Sequence, residues 1–198
     1  MKIGFVFSIK EEFMGALGKL PCKEVECKPF EVYEMIGSGK NQVFCAISGY
    51  GKVKASSATT WLITKLGVDK VVGIGVCGAT NNVKTDDLIR ITEVVNKDFD
   101  MSVVFGAKQK SPSIVLKKTS HPAVLFTTDH FTITANQPGY YDMAGYAVAE
   151  VAQDFGVECE IVKAVTDVID SGVQNNQYNE NFNSACVRLG DELSKYVK

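Results

Sequence analysis

The stretch Ala164–Val165–Thr166–Asp167–Val168–Ile169–Asp170, with the apolar run that leads into it from Glu160, decides how this chain is read. Glu160 to Val165 has the length and composition of a buried strand. It delivers a Thr–Asp pair at its carboxyl end, which is where ligands sit in open α/β sheets. A carboxylic acid held there can protonate a leaving group, while a second carboxylate elsewhere activates water. Glu11–Glu12, close to the other end of the chain, offers that second group. Each residue also has a plain structural reading. Asp167 can be a helix cap following the strand, and Glu12 a solvated first-turn residue that the helix dipole favours.

Outward from this junction, strand and helix signals alternate from end to end. The alternation predicts an α/β layer architecture in one domain, residues 1–198. Lys2 to Ser8 reads as a buried strand, with a helix of about ten residues starting at Lys10. Phe30 to Ile36 and Gln42 to Ile47 flank Gly37–Ser38–Gly39–Lys40–Asn41, a hairpin signal. Lys52 to Leu66 carries Ala55, Ala58, Leu62 and Leu66 near helical spacing. Lys70 to Gly75, Leu88 to Val95 and Val124 to Thr127 read as strands. Met143 to Phe155 has helical periodicity and Gly156 is its stop signal. Asn181 to Val197 reads as the closing helix, and the Lys-rich segment Lys108 to Lys118 as an exposed loop.

With 198 residues, 45% of them apolar, the chain can bury one sizeable core. A net charge of −2 leaves no basic stripe to neutralise phosphates, which argues against nucleic acid as a partner. No apolar run reaches the roughly 20 residues of a membrane span. The apolar start, Met1 to Phe7, is interrupted by Lys10, Glu11 and Glu12. It reads as the first strand of a cytoplasmic protein rather than as a signal peptide. Six cysteines (Cys22, Cys27, Cys45, Cys77, Cys159, Cys186) form no C-x-x-C pair, and His121 and His130 add no zinc spacing. No metal is expected, and all six thiols read as reduced.

A series of short motifs lines up in order over nearly the whole chain. They are Met1–Lys2–Ile3–Gly4 with Glu11–Glu12, Ser48–Gly49–Tyr50–Gly51–Lys52–Val53 and Gly75–Val76–Cys77–Gly78, then Thr127–Thr128–Asp129–His130–Phe131, Tyr141–Asp142–Met143 and Val165–Thr166–Asp167–Val168. In this order the chain resembles the nucleoside phosphorylase/nucleosidase superfamily, closest to its methylthioadenosine/S-adenosylhomocysteine nucleosidase branch. The resemblance implies a three-layer α/β/α sandwich around a mixed, partly barrel-like central sheet. It also implies cleavage of the N-glycosidic bond of an adenosine-type nucleoside, with or without a 5′ substituent, and no metal or organic cofactor. By resemblance Asp167 is the general acid that protonates purine N7, and Glu12 is the base that deprotonates the attacking water. Val76, Cys77 and Gly78 would lie along the nucleoside, Phe131 would stack on the purine, and Met143 would pack beneath the ribose. Tyr50, Thr132, Asp142 and Thr166 complete the implied substrate-binding set. Phe105 would approach the 5′ end from a neighbouring subunit, which implies a homodimer. Apart from the resemblance, Phe131 reads as a core aromatic, and Tyr50 and Tyr178 as partly exposed packing residues. The chemistry is consistent with two carboxylates, because departure of a purine from ribose passes through an oxocarbenium-like transition state, as glycoside hydrolysis does.

One position departs from the family pattern. After the Asp–Met pair the family carries a glutamate that grips the ribose 2′ and 3′ hydroxyls. Here that position is Ala144, in the frame Asp142–Met143–Ala144–Gly145–Tyr146–Ala147. Losing a charged acceptor of this kind costs roughly 2–4 kcal/mol of transition-state stabilisation, or about two to three powers of ten in rate. The intact frame marks an isolated change, in an enzyme that is weakened, retuned or reduced to binding. Tyr50, where an aliphatic residue is common, and a compressed region from Lys108 to His121 leave the 5′ group open. Phosphorolysis usually recruits arginines, whose forked donors match phosphate oxygens. This chain has only Arg90 and Arg188, neither in an Arg–x–Gly–Thr context, which favours hydrolysis. Lysines as point charges keep the phosphorolytic alternative open.

Overall fold

The computed structural model describes residues 1–25, 28–81, 83, 88–106 and 110–198, and of Phe105 only the backbone. In chain order the elements are β1 (Lys2–Phe7), α1 (Lys10–Leu17), β2 (Cys22–Val25), β3 (Glu31–Met35), β4 (Gln42–Ile47), α2 (Lys52–Trp61) and β5 (Lys70–Ala79). They continue as β6 (Ile89–Ile91), β7 (Glu93–Asn96), α3 (Ser102–Phe105), β8 (Ser113–Val115), β9 (Val124–Thr127), β10 (Tyr140–Asp142), α4 (Gly145–Asp154), β11 (Glu158–Val168) and α5 (Gln174–Val197). A wide π turn, Leu62–Leu66, extends α2 before Gly67 ends it in a left-handed conformation.

The strands form a mixed sheet of 11 strands with helices on both faces, an α/β architecture. At its centre β1 lies parallel between β4 and β5, with Phe5 level with Cys45 on one side and Val72 on the other. Side chains alternate across a strand. Phe5 and Phe7 therefore enter the layer beneath α1 and α5 with Phe13, Leu189 and Leu193, while Val6 faces the layer beneath α2 and α4 with Ala55, Leu62 and Val148. Each large apolar side chain fully buried in these layers contributes on the order of 1.5–3 kcal/mol.

The sheet forks at β5. One branch runs through β10, β9 and β7, and the other through β11 to β6. The single strand expected over Leu88 to Val95 is in fact these two, β6 and β7, because the chain bends at Thr92. Thr92 leaves the ladder and its Oγ1 accepts from the Ala123 N–H at 2.9 Å. The two branches therefore meet through one bent run of chain, and this part of the sheet closes as a barrel.

Four boundaries differ from expectation where tertiary contacts override local pattern. β5 runs on to Ala79 and β11 to Val168, each held by pairing with the other. α4 starts at Gly145, because the Asp142 carboxylate accepts from the Gly145 N–H at 2.8 Å and keeps the preceding residues in the cap. α5 begins at Gln174, well before Asn181. β8 is an edge strand inside the segment expected to be loop, and Lys108 lies outside the described residues. No helix among the described residues is long and apolar enough to cross a membrane. Cys22, Cys45, Cys77, Cys159 and Cys186 are free thiols, and Cys27 lies outside the described residues.

Candidate active site

A cavity of about 420 Å³ opens where the carboxyl ends of β1, β5 and β11 converge. Glu12 and Asp167 both line it. The solvated reading of Glu12 fails, since the residue is 3% exposed. α1 turns it inward, where Oε2 accepts from the N–H groups of Ser8 at 3.2 Å and Ile9 at 3.3 Å. Its Oε1 accepts from the Val76 N–H of β5 at 2.9 Å. Burial raises the Glu12 pKa, and these donors, together with the Lys163 ammonium, offset that only in part. The result is a carboxylate with a strong drive to take up a proton, which suits a general base.

The helix-cap reading of Asp167 also fails. Asp167 lies within β11, after an irregularity between Val165 and Asp167 that sets it level with Gly78. It is 2% exposed. The Thr166 hydroxyl donates to its Oδ1 at 2.7 Å, and the Gln174 amide donates to its Oδ2 at 2.6 Å.

β5 makes room for both carboxylates with glycine. A Cβ on Gly75 would stand 2.9 Å from Glu12 Oε1, and one on Gly78 would stand 3.0 Å from Asp167 Oδ2. The first distance is shorter than packed atoms tolerate and the second is tighter than most packed contacts, so a side chain at either position presses on a carboxylate.

Lys163 also lines the cavity, and sequence reasoning missed it. It is 4% exposed and pairs with Asp142 at 2.8 Å. Burial pulls its pKa down, but Asp142 and then Glu12 outweigh that, and the net direction is up. Asp142 is itself fully engaged, with Thr127 Oγ1 donating to Oδ1 at 2.7 Å in addition to Gly145 N–H on Oδ2. The only signal in the sequence was a lysine inside an apolar strand. Its partner could not be read, because it sits on a different strand.

The remaining expected residues divide into four groups. Val76, Cys77, Gly78, Met143 and Thr166 line the cavity wall, with Tyr50 and Phe131 at its exposed side. Phe131 is 46% exposed and meets Tyr178 edge-on at 6.0 Å, so it is not a core aromatic. Thr132 sits in a small adjoining recess with Gln174 and Asp167. Ala144 does not line the cavity: it is buried in the apolar layer against α4. The side chain of Phe105 lies outside the described residues. Burial pushes the Cys77 thiol up, which leaves it a poor nucleophile. Among the described residues no group of His, Cys, Asp and Glu could hold a metal ion.

Known proteins supply the context for this geometry. A 5′-methylthioadenosine/S-adenosylhomocysteine nucleosidase of Shewanella denitrificans is 28% identical, over 100% of this chain and 97% of its own. An aminodeoxyfutalosine nucleosidase of Helicobacter pylori is 25% identical, over 85% of this chain and 86% of its own. Among solved structures, the 5′-methylthioadenosine/S-adenosylhomocysteine nucleosidase of Helicobacter pylori with butyl-thio-DADMe-Immucillin-A superposes with a TM-score of 0.85 at 23% identity, covering 100% of this chain and 97% of that one. A sequence profile described as the phosphorylase superfamily matches residues 2–135, well over half the chain. The chain therefore belongs to the phosphorylase superfamily.

Proposed function

We propose that this protein hydrolyses the N-glycosidic bond of a purine nucleoside, releasing the free base. The observation that carries the reading is the pair of buried carboxylates, Glu12 and Asp167, in one cavity beside the half-exposed ring of Phe131. Asp167 protonates N7 of a purine stacked on Phe131, so the base departs neutral. Positive charge then develops on the ribose, and Glu12 removes a proton from the water that attacks it. The nucleosidases among the relatives support hydrolysis. So does the cation inventory. Among the described residues Lys163 is the one lysine or arginine lining the cavity, and Asp142 already neutralises it.

Tyr50 at the open side faces the region where a 5′ substituent would emerge, so that group sets the preferred substrate. Where the family carries its ribose-gripping glutamate this chain has Ala144, whose methyl packs in the apolar layer beside the cavity and reaches no ligand. On this reading that grip is missing and the nucleosidase is impaired or retuned. The exposed apolar segment from Phe99 to Val104 is the surface of a homodimer.

The test is release of free base from a panel of adenosine-type nucleosides, with and without added phosphate, by the chain and by Ala144→Glu side by side. Ala144→Glu is expected to raise kcat/KM by about 10²–10³. Part of that gain should vanish with 2′-deoxynucleosides. Turnover that needs phosphate would make the protein a phosphorylase, and no gain from the glutamate would sink the impaired-enzyme reading.

A further inference from the structure

Gln174 is the first residue of α5 and is 7% exposed. Its side-chain NH2 donates twice, to Asp167 Oδ2 at 2.6 Å and to the Thr132 carbonyl at 2.9 Å. One amide group thus ties together the acid, the loop that carries Phe131 and the start of α5. The hydrolytic mechanism assigns it no task. Its position is nevertheless chemically specific, because an NH2 group that bridges two acceptors is also what the exocyclic amine of a 6-aminopurine presents. That amine lies on the same edge of the ring as N7, whereas a 6-oxopurine presents only acceptors there. A base whose N7 faces Asp167 brings its 6-substituent to the oxygens that Gln174 already occupies.

We infer that Gln174 is a positioning residue acting as a displaceable latch, its carboxamide filling the base-edge acceptors of Asp167 and Thr132 until a 6-aminopurine takes its place. The identity of the base rests on the nucleosidase reading, while the latch itself rests on the two hydrogen bonds. Two bases should then respond in opposite directions. Adenine competes with the latch, since its amine needs the same acceptors. Hypoxanthine cannot replace the latch, since its 6-oxo group only accepts, and it is held by drawing one of the two Gln174 N–H groups away from the Thr132 carbonyl.

The experiment is calorimetric binding of free adenine and free hypoxanthine to the wild type and to Gln174→Met, which keeps the volume and removes the donors. Gln174→Ala serves as a second variant, and circular dichroism checks both folds. Adenine is expected to bind about three- to tenfold more tightly to the variants, and hypoxanthine more weakly by a similar factor. A residue that merely supported the loop would weaken both bases together, and that result overturns the latch. Unchanged binding of both bases also overturns it. If adenine binds neither wild type nor variant, the nucleosidase reading falls along with the latch. If wild type binds adenine and the variants gain nothing, the latch alone falls.

Discussion

Burial raises the Glu12 carboxyl, and neither the Val76, Ile9 and Ser8 N–H groups nor Lys163 brings it back to the ordinary carboxylate range. Its folded pKa lies above the reference value of 4.5, so ionising it works against folding. The cost appears as pH rises past about 4.5 and is complete above the folded value. Glu12→Gln is therefore expected to abolish base release while gaining in Tm relative to wild type between about pH 4 and pH 7, by about 2–4 °C for each kcal/mol. Thermal melts across that range check it, and a gap that narrows with pH would contradict it. For Asp167, the paired change is Asp167→Asn. Asparagine keeps a carbonyl for the Gln174 amide and an amide for the Thr166 oxygen, but it cannot deliver a proton. Base release should fall by about 10²–10⁴, the usual worth of general acid catalysis. Nucleoside binding should stay within about tenfold. A fully active Asp167→Asn would remove the acid from the mechanism.

Among the elements, β5 is the one that builds the site. It donates Val76 N–H to one carboxylate and yields space to both at Gly75 and Gly78. β10 and β11 contribute the buried pair Asp142 and Lys163. Breaking such a pair from one side strands a charge in the interior, at a cost of about 3–5 kcal/mol. Lys163→Met should lower stability by that amount in urea melts, and Lys163→Met with Asp142→Leu should recover only part of it, because leucine leaves the Thr127 hydroxyl and the Gly145 N–H without their acceptor. A double variant no better than the single one would show that Thr127 and Gly145 carry the Asp142 carboxylate without the lysine. The early start of α5 belongs to the same scale. Its first turns are rich in Asn and Gln, poor helix formers or neutral ones, yet they clamp the end of β11. Gln177 Oε1 accepts from the Val168 N–H at 3.0 Å, and Asn181 Nδ2 donates to the Thr166 carbonyl at 2.8 Å.

For the molecule as a whole, the face around α3 is a patch of exposed apolar side chains. Val103 is 96% exposed and Val104 67%, with Phe99 and Met101 also in solvent. Soluble monomers rarely leave such a patch uncovered. Light scattering at micromolar concentration should give about twice the 21.6 kDa of one chain. A mass near 21.6 kDa would leave the patch without an occupant.

Strand and helix signals were legible because they are local: the unbroken apolar run of β1 and the near-3.6 spacing in α2 are written in adjacent residues. The Thr166–Asp167 pair and Glu12 could be named as candidates for the same reason, since residue type and place along an element need no partner. What the local pattern could not decide was which way Glu12 turns and whether Asp167 caps a helix or stays in a strand. Nor could it show that Leu88 to Val95 breaks at Thr92 to close the barrel. The partners of the site lie far apart in the chain: Glu12 meets Val76, Lys163 meets Asp142, and Gln174 meets Thr132. The sequence alone determined the alternating α/β layers and the residue types in the first turn of α1 and at the end of β11. The tertiary structure alone decided which buried charges and amides face one another, because strand register and helix packing bring together groups that no short-range pattern relates.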